Sequence, residues 1–125
     1  MTYPTDRKYT KDHEWIRVAG DDADVGITDY AQRQLGDVVF VELPEVGRTI
    51  TAGESFGSIE SVKAVSELFA PMTGEVVAVN PQLKDHPEAV NSAPHDTWMV
   101  KIRLTDPAAG ESLMDAAAYE ALVKE

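Results

Sequence analysis

The stretch that decides the fold is GSIESVKAVSELFAPMTGEV, residues 57–76, in which β-branched and aromatic residues predict extended structure. Taken over residues 55–69, it would form one strand of about 15 residues, whereas strands usually run 3 to 10. A lysine, Lys63, interrupts this run between Val62 and Ala64. We therefore expect a hairpin tip that projects Lys63 into solvent, although the Asn-Gly or Asp-Gly of a tight two-residue turn is absent there.

Short β-rich runs separated by turn residues continue on both sides of this hairpin. Turn signals recur at Gly47, Gly53 and Gly74. This spacing indicates a small all-β sandwich or barrel and not a chain of βαβ units. The other predicted strands are a hairpin formed by HEWIRVAG and VGI (residues 13–20 and 25–27), a core strand DVVFVEL (residues 37–43), and TWMVKIRL (residues 97–104), which alternates Trp98, Val100, Ile102 and Leu104 on one face.

Two helices are predicted beside the strands. Thr28 is a suitable N-cap and Gly36 a suitable C-cap for a short helix near residues 28–35. Near the end of the chain, Ser112 stands three residues before Asp115, a variant of the capping box. We therefore expect a C-terminal helix at about residues 112–124, whose apolar side chains pack on the sheet: Leu113, Tyr119, Leu122 and Val123.

The segment NPQLKDHPEAVNSAPHD, residues 80–96, contains three prolines and little periodicity. We expect it to be an irregular surface arm. Asp106 precedes Pro107, a pair that favours the start of a helical turn.

Length and composition limit the class of protein. The 125 residues fit one domain spanning residues 1–125. The absence of cysteine excludes disulfides, thiolate metal sites and a cysteine nucleophile. A formal net charge of −11 repels nucleic acid and anionic membranes and favours partners with basic docking faces. The chain shows neither a leader pattern nor 18 consecutive apolar residues, so we expect a cytoplasmic protein without membrane contact. We also expect a monomer.

A serine hydrolase is one candidate function. GESFG, residues 53–57, matches the G-x-S-x-G elbow around Ser55, and Asp85 and His86 follow in the order such an enzyme needs. The elbow requires a strand, a sharp turn and a helix, whereas this chain is β-rich and short. The alternative interpretation is a glycine-flanked bend between strands.

The histidines give little support to a metal site. His13, His86 and His95 lack the H-x-H and HExxH spacings, so surface or capping roles are the expectation. Phosphate-binding glycine motifs are also absent from the sequence. We predict neither a metal ligand nor a catalytic residue.

Lys63 could also act as a catalytic lysine or be an ordinary solvated lysine. Lysines that form Schiff bases are desolvated or placed beside another cation. Lys63 instead stands between Glu60 and Glu67, which favour the charged, unreactive ammonium. Acylation by a dedicated ligase escapes this objection, because the ligase can supply the deprotonating environment.

The sequence resembles a known family over nearly its whole length. YTKDHEW, VGITDYAQRQLGDVVFVELPEVG, AGESFGSIESVKAVSELFAPMTGEVVAVN and DAAAYEAL are similar to the H-protein family of the glycine cleavage system, which are lipoyl carriers. Gly47 and Gly74 flank Lys63 at the offsets typical of biotinyl and lipoyl domains. The flanks in ESVKAV differ from the Met-Lys-Met of biotin carriers and from the Asp-Lys-Ala of keto acid dehydrogenases. The resemblance implies a mainly β, flattened barrel-sandwich hybrid with the modified lysine at a hairpin tip.

The same resemblance implies roles for individual residues. Lys63 corresponds to the covalent attachment site of lipoate. Gly47 and Glu60 match positions linked to recognition by the ligase. Glu14 and Glu67 match positions near the docked arm, and their alternative interpretation is that both are solvated strand charges. Between Asn91 and Trp98 the family has a longer, glycine-containing turn, so the shape of the SAPHDT loop and its contacts are not implied.

By resemblance, the protein is a non-catalytic carrier that meets three enzymes. These are a glycine decarboxylase dependent on pyridoxal phosphate (PLP), a tetrahydrofolate-dependent aminomethyltransferase and a dihydrolipoyl dehydrogenase. A lipoate ligase or a lipoyl/octanoyl transferase would attach the cofactor. The alternatives left open are a lipoyl donor that relays lipoate to other lipoyl domains and, more distantly, the Ser55 hydrolase.

Overall fold

The computed structural model describes residues 3–123. Within them, the strands form one six-stranded and one three-stranded sheet, and every pairing between strands is antiparallel. The elements are β1 (Lys8–Tyr9), β2 (Glu14–Ala19), β3 (Asp22–Ile27), α1 (Asp29–Leu35), β4 (Val38–Glu42), β5 (Thr49–Ile50), β6 (Ser55–Ser61), β7 (Val65–Phe69), β8 (Gly74–Val79), α2 (Gln82–Asp85), α3 (Ala89–Ser92), β9 (Val100–Leu104), a 3₁₀ helix (Pro107–Ser112) and α4 (Ala116–Leu122).

The two sheets enclose the main apolar core. The strand order is β1-β2-β3-β9-β8-β5 in the larger sheet and β4-β6-β7 in the smaller one. Neither sheet closes on itself, so the architecture is a flattened barrel-sandwich hybrid, which confirms the fold class predicted from the sequence. The most deeply buried side chains of this core include Ile16, Ile50, Ile59, Val76 and Ile102.

Helix α1 has the predicted caps. The Thr28 hydroxyl oxygen accepts a hydrogen bond from the Ala31 N–H, and Gly36 ends the helix with φ +79°. A positive φ at this position explains why glycine follows the last helical residue.

The C-terminal helix begins later than expected. Asp115, and not Ser112, caps α4 by accepting a hydrogen bond from a backbone N–H in the first turn. Asp106 instead caps the 3₁₀ helix that precedes α4. The expected end of the helix at residue 124 lies outside the described residues. Tyr119 packs as predicted and is fully buried, whereas Leu122 is 52% exposed, so its predicted packing on the sheet is wrong.

The expectation of an irregular arm at residues 80–96 is wrong. The segment folds into the one-turn helices α2 and α3, which bury Leu83 and Val90 in the main core. Pro81 and Pro87 precede the two helices, where their missing N–H has no helical partner to lose, and Pro94 follows α3. Strand β4 also differs from the expected core strand, because it is an outer strand whose Val39 and Phe40 are about half exposed.

A second, aromatic cluster attaches α4 to strands β1 and β2. The rings of Tyr9 and Tyr119 stack with centroids 4.8 Å apart. Trp15 lies flat on Gly26 of the neighbouring strand, where a Cβ would come within 2.5 Å of the indole. Trp98 joins this cluster, since strand β9 begins only at Val100, three residues later than the sequence predicts.

Candidate functional site

The hairpin of β6 and β7 turns at residues 62–64, which confirms the predicted interruption of the strand. Ser61 makes this turn possible without Asn-Gly. Its backbone N–H donates to the Ala64 carbonyl at 2.8 Å, and its hydroxyl oxygen accepts from the N–H groups of Lys63 and Ala64 at 3.3 and 3.1 Å. A serine hydroxyl that bonds the following backbone replaces the usual turn residues.

Lys63 lies exposed at this tip. A Cβ added at Gly36 would lie 3.5 Å from Cε of Lys63, so the aliphatic stem of the lysine passes over the end of α1. The Val62 N–H donates to the Asp37 carbonyl at 3.0 Å and fixes the tip to the same loop. No carboxylate among residues 3–123 forms a salt bridge with the lysine, so its amino group is accessible to a modifying enzyme.

A cleft of about 340 Å³ opens beside the tip, between the two sheets. Residues 64–68 of the hairpin form one side, which we call the hairpin wall. Residues 12–14 form the other side together with Ala31 and Leu35 of α1, and we call this the buried wall. The floor is apolar and includes Ile59 of the main core. The cleft therefore offers an apolar channel that starts next to Lys63.

Glu14 belongs to the buried wall and is only 2% exposed, so the interpretation as a solvated strand charge is wrong for it. Its Oε2 accepts from the Phe69 N–H at 2.7 Å, and its Oε1 accepts from the Thr10 hydroxyl at 3.2 Å. The bond to Phe69 joins β2 of one sheet to β7 of the other. Burial raises the pKa of Glu14 to about 8, so the carboxyl is mostly protonated at neutral pH.

Glu67 belongs to the hairpin wall and is exposed. It pairs with Ser58 across the hairpin, and it is the other carboxylate of the cleft that the sequence singled out. The structure thus brings Glu14 and Glu67 to opposite walls of one cleft, although 53 residues separate them in the chain.

The structure places Gly47 and Glu60 elsewhere. Glu60 is exposed on β6, opposite Val65, and outside the cleft. Gly47 precedes β5 of the larger sheet and donates its N–H to the Val76 carbonyl at 2.7 Å. Its φ of +99° meets the condition under which replacement by alanine strains the turn.

The shortened loop at residues 91–98 packs against the rest of the protein. The Pro94 carbonyl accepts from the Trp15 indole N–H at 3.1 Å, and the His95 carbonyl accepts from the Arg7 guanidinium at 2.8 Å. The His95 imidazole accepts from the Asp29 N–H, so the expected capping role is confirmed for this histidine. The Asn91 side chain bonds the Val38 N–H and anchors the loop beside the site.

Ser55 lacks the surroundings of a nucleophile. It begins strand β6 at a β-bulge, and its hydroxyl donates to the Gly57 carbonyl. Within residues 3–123 the hydroxyl has no histidine partner. GESFG is therefore a bend between strands, because its glycines serve a turn at Gly53 and a close approach of Gly57 to β4.

Sequence reasoning missed Ser61, Gly36 and His13 as residues of the site. A serine two residues before the lysine is a local turn signal that could have identified Ser61. The contact of Gly36 with Lys63 and the contact of His13 with Tyr119 depend on the folding of distant segments. Local patterns carry no signal for such contacts.

A hairpin that presents an exposed lysine, in a two-sheet barrel-sandwich hybrid, defines the class of biotinyl and lipoyl carrier domains. The family model described as glycine cleavage H-protein matches residues 7–125. The chain belongs to this family of lipoyl carriers. In residues 3–123, no helix has the length and apolar character needed to cross a membrane.

Several characterised proteins are similar over their full length. The glycine cleavage system H protein of Brevibacillus brevis is 57% identical, with 100% of both chains covered. That of Koribacter versatilis is 58% identical over 100% of this chain and 97% of its own. The crystal structure of a glycine cleavage system H protein from Mycobacterium marinum matches with a TM-score of 0.89 and 42% identity, covering 96% of this chain and 98% of that one.

Proposed function

We propose that the protein carries lipoate as an amide on Lys63 and acts as the lipoyl carrier of the glycine cleavage system. The observation that carries this proposal is the position of Lys63 at the tip of the β6–β7 hairpin, beside a cleft. The lysine is exposed there and forms no salt bridge with the described residues. Family membership supports the same role. The whole chain then serves as a single, monomeric and non-catalytic carrier domain.

The residues around Lys63 fit a lipoyl group. The exposed amino group of Lys63 can form an amide once the ligase has deprotonated it, and this changes the formal net charge from −11 to −12 because one positive charge is lost. The stem passes over Gly36 at the end of α1, and the neighbouring cleft has an apolar floor for a hydrocarbon chain. When bound, the lipoyl dithiolane accepts and releases an aminomethyl group and is reoxidised.

The two carboxyl groups of the cleft suit the protonated amine of the loaded arm. Glu67 supplies an exposed carboxylate on the hairpin wall. Glu14 lies on the buried wall, where burial raises the pKa of its carboxyl group. A neighbouring ammonium lowers the pKa of a carboxyl group. An ammonium bound beside Glu14 would therefore favour release of the carboxyl proton to water, and the resulting charge-assisted hydrogen bond would hold the amine in the cleft.

The partners follow from this role. The carrier would receive lipoate from a lipoate ligase or a lipoyl/octanoyl transferase, which would recognise Gly47 and Glu60 in addition to Lys63. It would then meet the PLP-dependent glycine decarboxylase, the tetrahydrofolate-dependent aminomethyltransferase and dihydrolipoyl dehydrogenase in turn. The negative net charge favours basic docking surfaces on each of them.

A reconstituted glycine cleavage assay tests the proposal. The lipoylated protein, mixed with the three enzymes, should support release of carbon dioxide from glycine, and Lys63→Arg should abolish it. Lys84→Arg, an exposed lysine on α2, is the matched control and should retain activity. Activity in Lys63→Arg would refute the proposal. If the parent fails this assay but passes lipoate to other lipoyl domains, the relay function replaces the carrier function.

A further inference from the structure

His13 is held on the buried wall by a hydrogen-bonded chain that begins in α4. Its Nδ1 lies 2.9 Å from the Tyr119 hydroxyl oxygen, which lies 2.7 Å from the Thr28 hydroxyl oxygen. The Thr28 oxygen also accepts from the Ala31 N–H as the N-cap of α1. The His13 backbone has φ +67°, the one positive φ outside glycine among residues 3–123. A strained backbone of this kind often marks a functional position.

The burial of Thr28 determines where the protons lie in this hydrogen-bonded chain. Thr28 is fully buried, and its oxygen already accepts from α1, so its O–H must donate to the Tyr119 oxygen. The Tyr119 O–H then donates to Nδ1 of His13. The opposite assignment would leave the Thr28 proton buried without an acceptor, which is unfavourable. His13 is therefore neutral with its proton on Nε2, and burial lowers its pKa in agreement with this state.

The protonated nitrogen differs from the carboxyl groups of the cleft. Nδ1 is occupied by Tyr119, so Nε2 lies on the opposite edge of a half-buried ring that lines the cleft. Nε2 has no hydrogen-bond partner within the described part of the chain. The side chains of Asp12, Glu14 and Glu67 supply carboxyl oxygens to the same cleft. Gln34 and Ser66 also line the cleft and can donate, but the His13 donor is the one whose proton position is fixed by the buried chain through Tyr119 and Thr28.

We propose that the His13 Nε2–H donates a hydrogen bond to the sulfur that aminomethyl loading leaves free on the docked arm, and that Tyr119 is the positioning residue that keeps the proton on Nε2. This inference rests on the proposed function. The loaded end of the arm carries an ammonium, which needs acceptors, and a thiol or thiolate, which needs a donor. The carboxyl groups serve the first and His13 serves the second.

The proton position can be tested on the unmodified protein. Nitrogen-15 NMR should show His13 with a protonated Nε2 and an unprotonated Nδ1. Tyr119→Phe should remove this preference, while Tyr9→Phe should retain it, because the Tyr9 hydroxyl bonds the Pro4 carbonyl in the same aromatic cluster without touching His13. A proton on Nδ1 in the parent, or a loss of the preference in both variants, would overturn the assignment to Tyr119.

The contact with sulfur can be tested on two modified forms of Lys63. The Nε2–H signal of His13 should shift when the arm is dihydrolipoyl and stay in place when it is octanoyl, which lacks sulfur. Equal shifts, or no shift with either arm, would overturn the inference. Mass spectrometry of the same samples keeps the two proposals apart: an arm attached to Lys63 without a shift at His13 contradicts only this inference, and failure to modify Lys63 contradicts the proposed function.

His13→Asn gives a kinetic test, because asparagine tolerates a positive φ better than most residues. Loss of one hydrogen bond should make the loaded arm decay about two- to tenfold faster. Tyr119→Phe should produce part of this effect, and Tyr9→Phe should produce none. An unchanged decay rate in His13→Asn would contradict the donor role.

Discussion

Each wall of the cleft carries a glutamate carboxyl group, which is exposed on one wall and buried on the other. On the hairpin wall, Glu67 is exposed and shares a short strand with the exposed Val65. On the buried wall, Glu14 is 2% exposed and joins the two sheets through Phe69. A carboxylate on the first wall contributes little to stability, because water already solvates it. A carboxyl group on the second wall affects folding as well as any ligand, because burial penalises its charged form.

The comparison shows how one cleft can be both accessible and organised in advance. The hairpin wall adjoins Lys63 at the exposed tip, where a partner enzyme can reach the lysine. The buried wall fixes His13 through Tyr119 and Glu14 through Thr10, so its polar groups keep their positions before an arm arrives. Substitution of the exposed Glu67 should thus affect function alone, whereas substitutions on the buried wall should also affect stability.

The largest expected effect is the pH dependence due to Glu14. Its pKa in the folded protein is about 8, above the ordinary value, so the folded state binds this proton more tightly than the unfolded state. The contribution of Glu14 to stability is therefore fully present below the unfolded pKa and is lost as the pH rises towards 8, by up to about 1.4 kcal/mol per pH unit. Glu14→Gln should remove this loss, as measured by urea denaturation at several pH values.

Glu75→Gln is the control for this prediction, since Glu75 is exposed on β8. It should keep the pH dependence of the parent. If Glu14→Gln and the parent lost stability equally between pH 5 and pH 8, Glu14 would not be the buried titrating group.

Replacement of Gly47 should have the next largest effect. Comparison with Gly20 distinguishes backbone strain from recognition by the ligase. Gly47 and Gly20 both have positive φ, with no atom within 4 Å of an added Cβ. Alanine at either position should lower the free energy of unfolding by about 1–2 kcal/mol. Only Gly47→Ala should slow lipoylation by the ligase. Equal modification rates in the two variants would limit Gly47 to a structural role.

The Ser61 hydroxyl is expected to contribute about 1 kcal/mol to the free energy of unfolding, because it bonds the turn that presents Lys63. Ser61→Ala should lower stability by that amount and also slow the modification of Lys63. Ser58→Ala is the matched change, in the same strand but outside the turn. Chemical denaturation and initial rates of lipoylation would check this, and identical values for both variants would show that the turn does not depend on Ser61.

The smallest expected effect on stability is that of Glu67→Gln, which should change the free energy of unfolding by less than about 0.5 kcal/mol. The loaded arm should nevertheless decay about one-and-a-half- to fivefold faster, since an exposed ion pair contributes about 0.2–1 kcal/mol. Formaldehyde release measures this decay. Glu75→Gln, on β8 and outside the cleft, should match the parent. A parental decay rate in Glu67→Gln would remove this residue from arm protection.

The sequence predicted the features that depend on neighbouring residues. The break at Lys63 follows from strand length and from the position of a charge, and the limits of α1 follow from its capping residues Thr28 and Gly36. These signals act over a few residues, so a local pattern is sufficient to read them.

Features that depend on the tertiary structure were predicted poorly. The burial of Glu14 results from the approach of β7 to β2, and the contact of His13 with Tyr119 spans 106 residues. The helical turns within residues 80–96 form because Leu83 and Val90 reach the core, which overrides the weak local preference of that segment. No periodicity or motif in the sequence predicts these contacts between distant segments.

The central claim is that Lys63 is the lipoyl attachment site. Tandem mass spectrometry of the protein produced in a lipoylation-competent cell tests it most directly. We expect one lipoyl amide, located on Lys63, in a protein that otherwise has its unmodified mass. A lipoyl group on another lysine, together with carrier activity in Lys63→Arg, would contradict the account.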